Sequence, residues 1–146
     1  EIERYNYLVF LSIISGKKQK ISNESLFDLY KLSYSFEINK LLDFIKNTCK
    51  VAKIQDVFTI IRRGSSFYTI SKNEENLYND FIKFGEMDKL LGENITKFFE
   101  DIYCENNFPL STLFIILRNC KSQEGIPANK LYQMISKSFE KQLHFL

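Results

Sequence analysis

Apolar positions recur at spacings of three and four along nearly the whole chain, the period of α-helices that each bury one face. The first such stretch runs from Ile2 to Ile14, where Tyr7, Leu8, Phe10, Leu11 and Ile14 form the pattern. It predicts a helix with those residues against the core, stopping at Gly16, where a left-handed cap meets no Cβ. Lys17 to Lys20 then form an exposed basic turn. Ser22 is placed to cap the next helix through its hydroxyl, and Leu26, Leu29, Tyr30 and Ser33 share one face of it. A third helix carries Ile38, Leu41, Leu42 and Ile45 and ends near Cys49. Only about four residues separate these two, which favours an antiparallel pair.

Further on, Ile54, Val57, Phe58 and Ile61 predict a helix that stops at Arg62, Arg63 and Gly64, because cations suit a last turn and glycine the position past it. Aromatic and β-branched residues between Ser65 and Ile70 leave an extended segment open. Ser71 and Glu74 have the form of a capping box ahead of Leu77, Tyr78, Phe81 and Ile82, with Gly85 as the stop. The next pattern, Met87, Leu90, Leu91, Ile95, Phe98, Phe99 and Ile102, is interrupted by Gly92, which is expected to split or bend it. In the last third, Phe108, Pro109, Leu113, Phe114 and Leu117 are echoed 18 residues later by Ile126, Pro127, Leu131, Tyr132 and Ile135. Proline suits a first helical turn, so shared helix-entry chemistry is the reading preferred for the echo over a stack of helical hairpins, which normally needs at least three units. The fold class expected is all-α, built of antiparallel helical hairpins.

Composition agrees with a packed domain and narrows its chemistry. At 146 residues, 45% apolar and 15% aromatic, the chain can hide roughly 70% of its unfolded surface. Its 20 basic and 18 acidic side chains are mixed along the length, and a net charge of +2 exerts no strong pull on nucleic acid or an anionic membrane. Cys49, Cys104 and Cys120 are odd in number and widely spaced, which points to a reducing, cytoplasmic setting. No apolar run approaches the roughly 20 residues of a membrane span, and no signal peptide is present. The chain begins at Glu1 without a Met, as a piece of a longer protein would.

Catalytic and cofactor chemistry is hard to find. His144 is the only histidine, and with cysteines this dispersed it makes no zinc site. Glycine patterns for nucleotides or elbow nucleophiles are missing, so no cofactor, metal or catalytic residue is expected. Glu100, Asp101 and Glu105 are the nearest thing to an acid/base group, and they read first as a solvated helix face. Arg62, Arg63, Gly64 and Ser65 resemble the pattern favoured by basophilic kinases, which makes Ser65 a candidate phosphorylation site; a helix C-terminus explains the same residues. The triplets Asn23-Glu24-Ser25 and Asn94-Ile95-Thr96 fit a glycosylation pattern that an Asn-rich chain produces by chance. Tyr30, Tyr34, Tyr78 and Tyr132 could stack on bases in a helical-repeat RNA binder, or simply pack in the core.

From Leu8 to Lys50, the order of these features resembles the final portion of a BTB/POZ domain. The residues concerned are Leu8, Leu11, Ile14, Ser15 and Gly16, then Ile21 in the turn, Leu26, Leu29, Tyr30, Leu32 and Ser33, and last Ile38, Leu41, Ile45 and Cys49. Ser33 stands where the family usually has Ala and Ile14 where it has Tyr, while the usual spacing would put the cysteine at Phe44 or Ile45. Residues 51–146 resemble the BACK-type helical extension that follows many such domains, best between Asn107 and Ser138. The resemblance implies two parts, 1–50 and 51–146. Together they would form a non-catalytic protein–protein interaction scaffold, the adaptor portion of a BTB-type protein linked to ubiquitin-ligase assembly. Its partners would be proteins, a cullin-type ligase scaffold among them, although the apolar-x-Glu element that holds a cullin would lie upstream of Glu1. A helical-repeat RNA-binding module is the competing expectation.

Overall fold

The computed structural model describes residues 2–65, 72–102 and 108–120, with positions 129, 132, 133, 135, 136, 139 and 140. Every regular element among them is helical: α1 (Arg4–Ile14), a 3-10 turn (Asn23–Ser25), α2 (Leu26–Ser35), α3 (Asn39–Val51), α4 (Ile54–Ser65), α5 (Lys72–Phe84), α6 (Met87–Glu93), α7 (Ile95–Asp101) and α8 (Leu110–Arg118). The expected all-α class is the one observed.

The centre is α2, where Leu26 through Ser33 are all buried, charged residues included. A helix closed off on all sides needs neighbours all round, and α1, α3, α4 and α5 pack against it. Phe27 lies edge-on to Tyr78 and against Phe81, each at 5.3 Å between ring centroids, while Tyr30 meets Phe81 at 5.1 Å and Phe84 at 5.2 Å. These offset and edge contacts between α2 and α5 are the arrangements aromatic rings favour. Tyr78, fully buried, donates its hydroxyl to the Ile61 carbonyl of α4 at 2.7 Å, so its one polar atom is satisfied. A second cluster joins Phe58, Phe98 and Phe108. One connected core thus runs from Val9 on α1 to Ile116 on α8.

Polar pairs tie the outer helices down. Asn79 on α5 donates to Ser111 Oγ at 2.8 Å and accepts from Thr112, and Ser111 in turn donates to Glu75 at 2.6 Å, which locks α8 onto α5. Asn119 donates to Asp88 on α6 at 3.0 Å. Lys50 and Lys89 both reach the Glu86 carboxylate, at 2.9 and 3.1 Å, and hold it below the usual carboxylate range, Lys50 most.

Two glycines act by close approach. A β-carbon on Gly92 would stand 2.6 Å from the Asn119 carbonyl carbon, which explains how near α6 and α8 come. The expected break in the long pattern falls two residues later, at Asn94, the only residue between α6 and α7. Gly85 does follow the end of α5, but the left-handed residue there is Glu86, at φ 56°. At Gly16 the expected left-handed stop is present, φ 84°.

Two expectations about helix ends change. The Ser22 hydroxyl pairs with Ser25 Oγ at 2.9 Å instead of capping a backbone N–H. Helix α4 is described as far as Ser65, one residue past the Gly64 at which the stop is expected. Pro109 stands one residue ahead of α8 in an extended conformation, φ −60° and ψ 148°, and not inside its first turn. The Ser71 capping box, the extended segment after Ser65, and Ile126, Pro127 and Leu131 of the echo lie outside the described residues.

Candidate interaction surface

Helix α1 carries two apolar stripes, and the fold chooses between them. Successive residues turn by about 100°, so Asn6, Val9, Phe10 and Ile13 fall on one side and Tyr7, Leu8, Leu11 and Ile14 on the other. The first side faces α2, with Asn6, Val9 and Phe10 buried and Ile13 packed at the core's edge. The second faces outward: Tyr7 is 43%, Leu8 51%, Leu11 39% and Ile14 49% exposed. Of the five residues whose spacing predicted the buried face, only Phe10 is buried. The buried stripe is the less apolar of the two by sequence, because Asn6 stands at its middle.

Asn6 is what holds α1 in this orientation. Its side chain donates to Asp28 Oδ2 at 2.7 Å and accepts from Ser25 Oγ at 2.7 Å. Asp28 also pairs with Lys31 at 3.2 Å, both side chains close to nine-tenths buried, and the Lys31 ammonium lies 4.7 Å from the centre of the Phe27 ring. A buried amide that meets its partners only in one rotational setting of the helix fixes that setting, since leaving it unpaired would cost about 1–3 kcal/mol. The signal was present in the chain as Asn6 between Ile2 and Phe10, at helical spacing on both sides.

The outward stripe has defined surroundings. Phe36, 60% exposed, stacks on Phe10 at 5.8 Å. At the C-terminal end, Ser15 Oγ donates to the Leu11 carbonyl and the chain turns at Gly16 into Lys17, Lys18 and Lys20, all exposed. Among the described residues no ion pair engages these lysines. Exposed Glu3 precedes the opposite end.

Elsewhere the predicted candidates separate. Tyr30 and Tyr78 are in the core and closed to base stacking, while Tyr34 and Tyr132 are exposed. Glu100 and Asp101 lie on the open face of α7, and Glu105 is outside the described residues. Ser65 is the last residue of α4, beside Arg62 and Arg63 in the chain. Asn94 uses its amide on the Leu90 carbonyl, and Asn23 on Asp56. Cys49 is buried, which pushes its thiol up to about 12, and Cys120 is raised by burial as well while its Sγ contacts the Gly92 carbonyl at 3.3 Å. Among the described residues no group of three or more metal-ligating side chains gathers, and no helix is long and apolar enough to cross a membrane.

No protein-family model, curated protein or solved structure matches the chain.

Proposed function

We propose that the chain is a non-catalytic protein–protein interaction scaffold that works from the cytoplasm and presents the outer face of α1. The observation that carries this reading is the stripe Tyr7, Leu8, Leu11 and Ile14, exposed on the side of α1 opposite its buried residues Asn6, Val9 and Phe10. A contiguous apolar face on a well-packed surface is a common mark of an interaction site. In this reading the domain is the end of a BTB-like unit, 1–50, with a BACK-like extension, 51–146, the adaptor portion of a ligase-linked assembly. The supporting features are the apolar helix, the glycine turn with its lysines, and the two short helices that follow in that order. Phosphorylation at Ser65 would add about two negative charges beside Arg62 and Arg63.

The test compares the wild-type chain with a Leu8→Lys, Leu11→Asp variant as bait, alongside gel shifts with single-stranded RNA at two salt concentrations. The scaffold reading expects bound proteins to be lost from the variant and no RNA shift at either salt. Unchanged protein retention, or an RNA shift that weakens steeply with salt, would overturn it in favour of other surfaces or of an RNA-binding module.

A further inference from the structure

We infer that α1 is a releasable strap, which lifts off α2 and melts as one unit while α2 to α8 stay packed. Such a motion goes beyond the scaffold role and is independent of what binds the outer stripe. Of the 11 residues of α1, only Asn6, Val9 and Phe10 are buried, and α2 is the helix it chiefly packs against. Ile13, and Ile2 ahead of the helix, are half-buried beside them. Ile14 to Lys20, the stretch that joins α1 to the body, is exposed throughout. Its Ser15, Gly16 and Lys17 amides bond back to carbonyls of α1 itself, at Leu11, Ile13 and Ser12. Helix α5, by contrast, sets Tyr78, Phe81 and Ile82 wholly inside the core and is bonded to both α4 and α8. Few buried apolar side chains and an exposed connection mark the segments of a fold that open at low free energy.

The surface that α1 covers eases its release. Ser25, Asp28, Leu32 and Phe36 follow one another along a single row of α2, and Ser25 and Asp28 are the groups that bond to Asn6. Asp28 pairs with Lys31 inside α2, at 3.2 Å, so this pair survives when α1 leaves and Asp28 regains water. Ser25 likewise keeps its contact with Ser22. Phe36, which stacks on Phe10, is already 60% exposed. The opening thus gives up the burial of Val9 and Phe10, part of that of Ile2 and Ile13, and the two bonds of Asn6. A helix of 11 residues is marginal alone in water, so α1 loses its own hydrogen bonds together once it is off α2.

Hydrogen exchange of the full chain, read amide by amide by NMR, tests this. The amides of Leu8 to Ile14 should share one opening, at least about tenfold more frequent than that of Tyr78 to Ile82. Ile116→Val weakens the core on α8, which packs against α5 and α6 and not chiefly against α1. It should speed exchange in α5 about fivefold and leave α1 within about twofold of wild type, because the opened state keeps the α8 packing. Asn6→Ala should speed exchange in α1 about tenfold, and in α5 by the same factor, since it raises the docked state from which both openings start. The mild Ile116→Val change keeps the test decisive should Asn6→Ala disturb folding. Equal protection of α1 and α5, an α1 that responds to Ile116→Val as α5 does, or an α1 indifferent to Asn6→Ala would each overturn the proposal. So would a graded loss from one end of α1 in place of a common opening. None of these outcomes touches the bait comparison, which tests the scaffold reading separately.

Discussion

Gly85 lies directly against Cys49: a β-carbon at Gly85 would stand 2.5 Å from the Cys49 Cβ and 3.2 Å from its Sγ. The contact sets how closely the end of α5 approaches the last turn of α3, in a place where the pattern of residues suggested only a helix stop. Gly85→Ala is therefore expected to destabilise by about 1–3 kcal/mol, the range for overpacking a core. Moving the glycine across the contact, with Cys49→Gly added, should recover part of the loss, less about 1 kcal/mol for glycine inside a helix. Urea melts of the three proteins measure both effects.

The two stripes of α1 should respond oppositely to truncation. Phe10, 2% exposed, is expected to cost about 3–5 kcal/mol as Phe10→Ala. Leu11→Ala, one residue on, should stay within about 0.5 kcal/mol, as surface changes do. Equal losses in denaturant melts would mean that the helix is rotated from the orientation described.

Asp28 and Lys31 form an ion pair inside α2, with side-chain exposures of 9% and 11%. Asp28→Ala removes the carboxylate that Lys31 and the amide of Asn6 both use, and should cost about 1–3 kcal/mol, the range for leaving a buried polar group unsatisfied, since Lys31 keeps Glu74 at 4.0 Å. Replacing both, as Asp28→Leu with Lys31→Met, should cost less than the single change, which leaves the Lys31 ammonium with only the more distant Glu74, at 4.0 Å, to answer its charge. Comparing melting midpoints of the single and double variants decides the matter.

Alkaline pH should weaken the fold. Burial pushes Cys49 from 9.0 to about 12, and burial, with Asp80 and Tyr34 adding to it, pushes Tyr30 from 10.0 to about 12. Above each ordinary value the unfolded chain releases a proton that the folded chain retains, so stability is fully present below pH 9 and falls as pH rises toward 12. The slope approaches about 1.4 kcal/mol per pH unit for each group. Cys49→Ala should flatten the first part of the decline, between pH 9 and 10, in urea melts run across that range.

Ser33 on α2 is fully buried, and its hydroxyl is the buried side-chain polar atom left without a partner among the described residues. Ser33→Ala removes that unpaired group at little cost in packing. It should be neutral or stabilise by about 1 kcal/mol, seen as a rise in melting temperature.

The chain by itself determined that the protein would be helical and where most helices lie. Periodicity reports how a helix divides into faces, and for α3 and α5 a single apolar stripe left one answer: Leu41 and Ile45, Tyr78, Phe81 and Ile82 are all buried. For α1 the same signal was degenerate, with two stripes that could each face inward, and for α2 it marked one face of a helix that is buried all round. Tertiary structure decided both. Asn6 meets Asp28 and Ser25 only when Tyr7, Leu8, Leu11 and Ile14 point out, and those partners lie 22 and 19 residues away in the chain. Gly85 and Gly92 illustrate the same division: as punctuation they marked breaks, whereas their demanding role is contact with Cys49 and Asn119, on helices that local sequence cannot bring to them. The outer apolar face of α1 is thus composed of local residues but exposed by distant ones, because a helix's orientation is set by what it packs against.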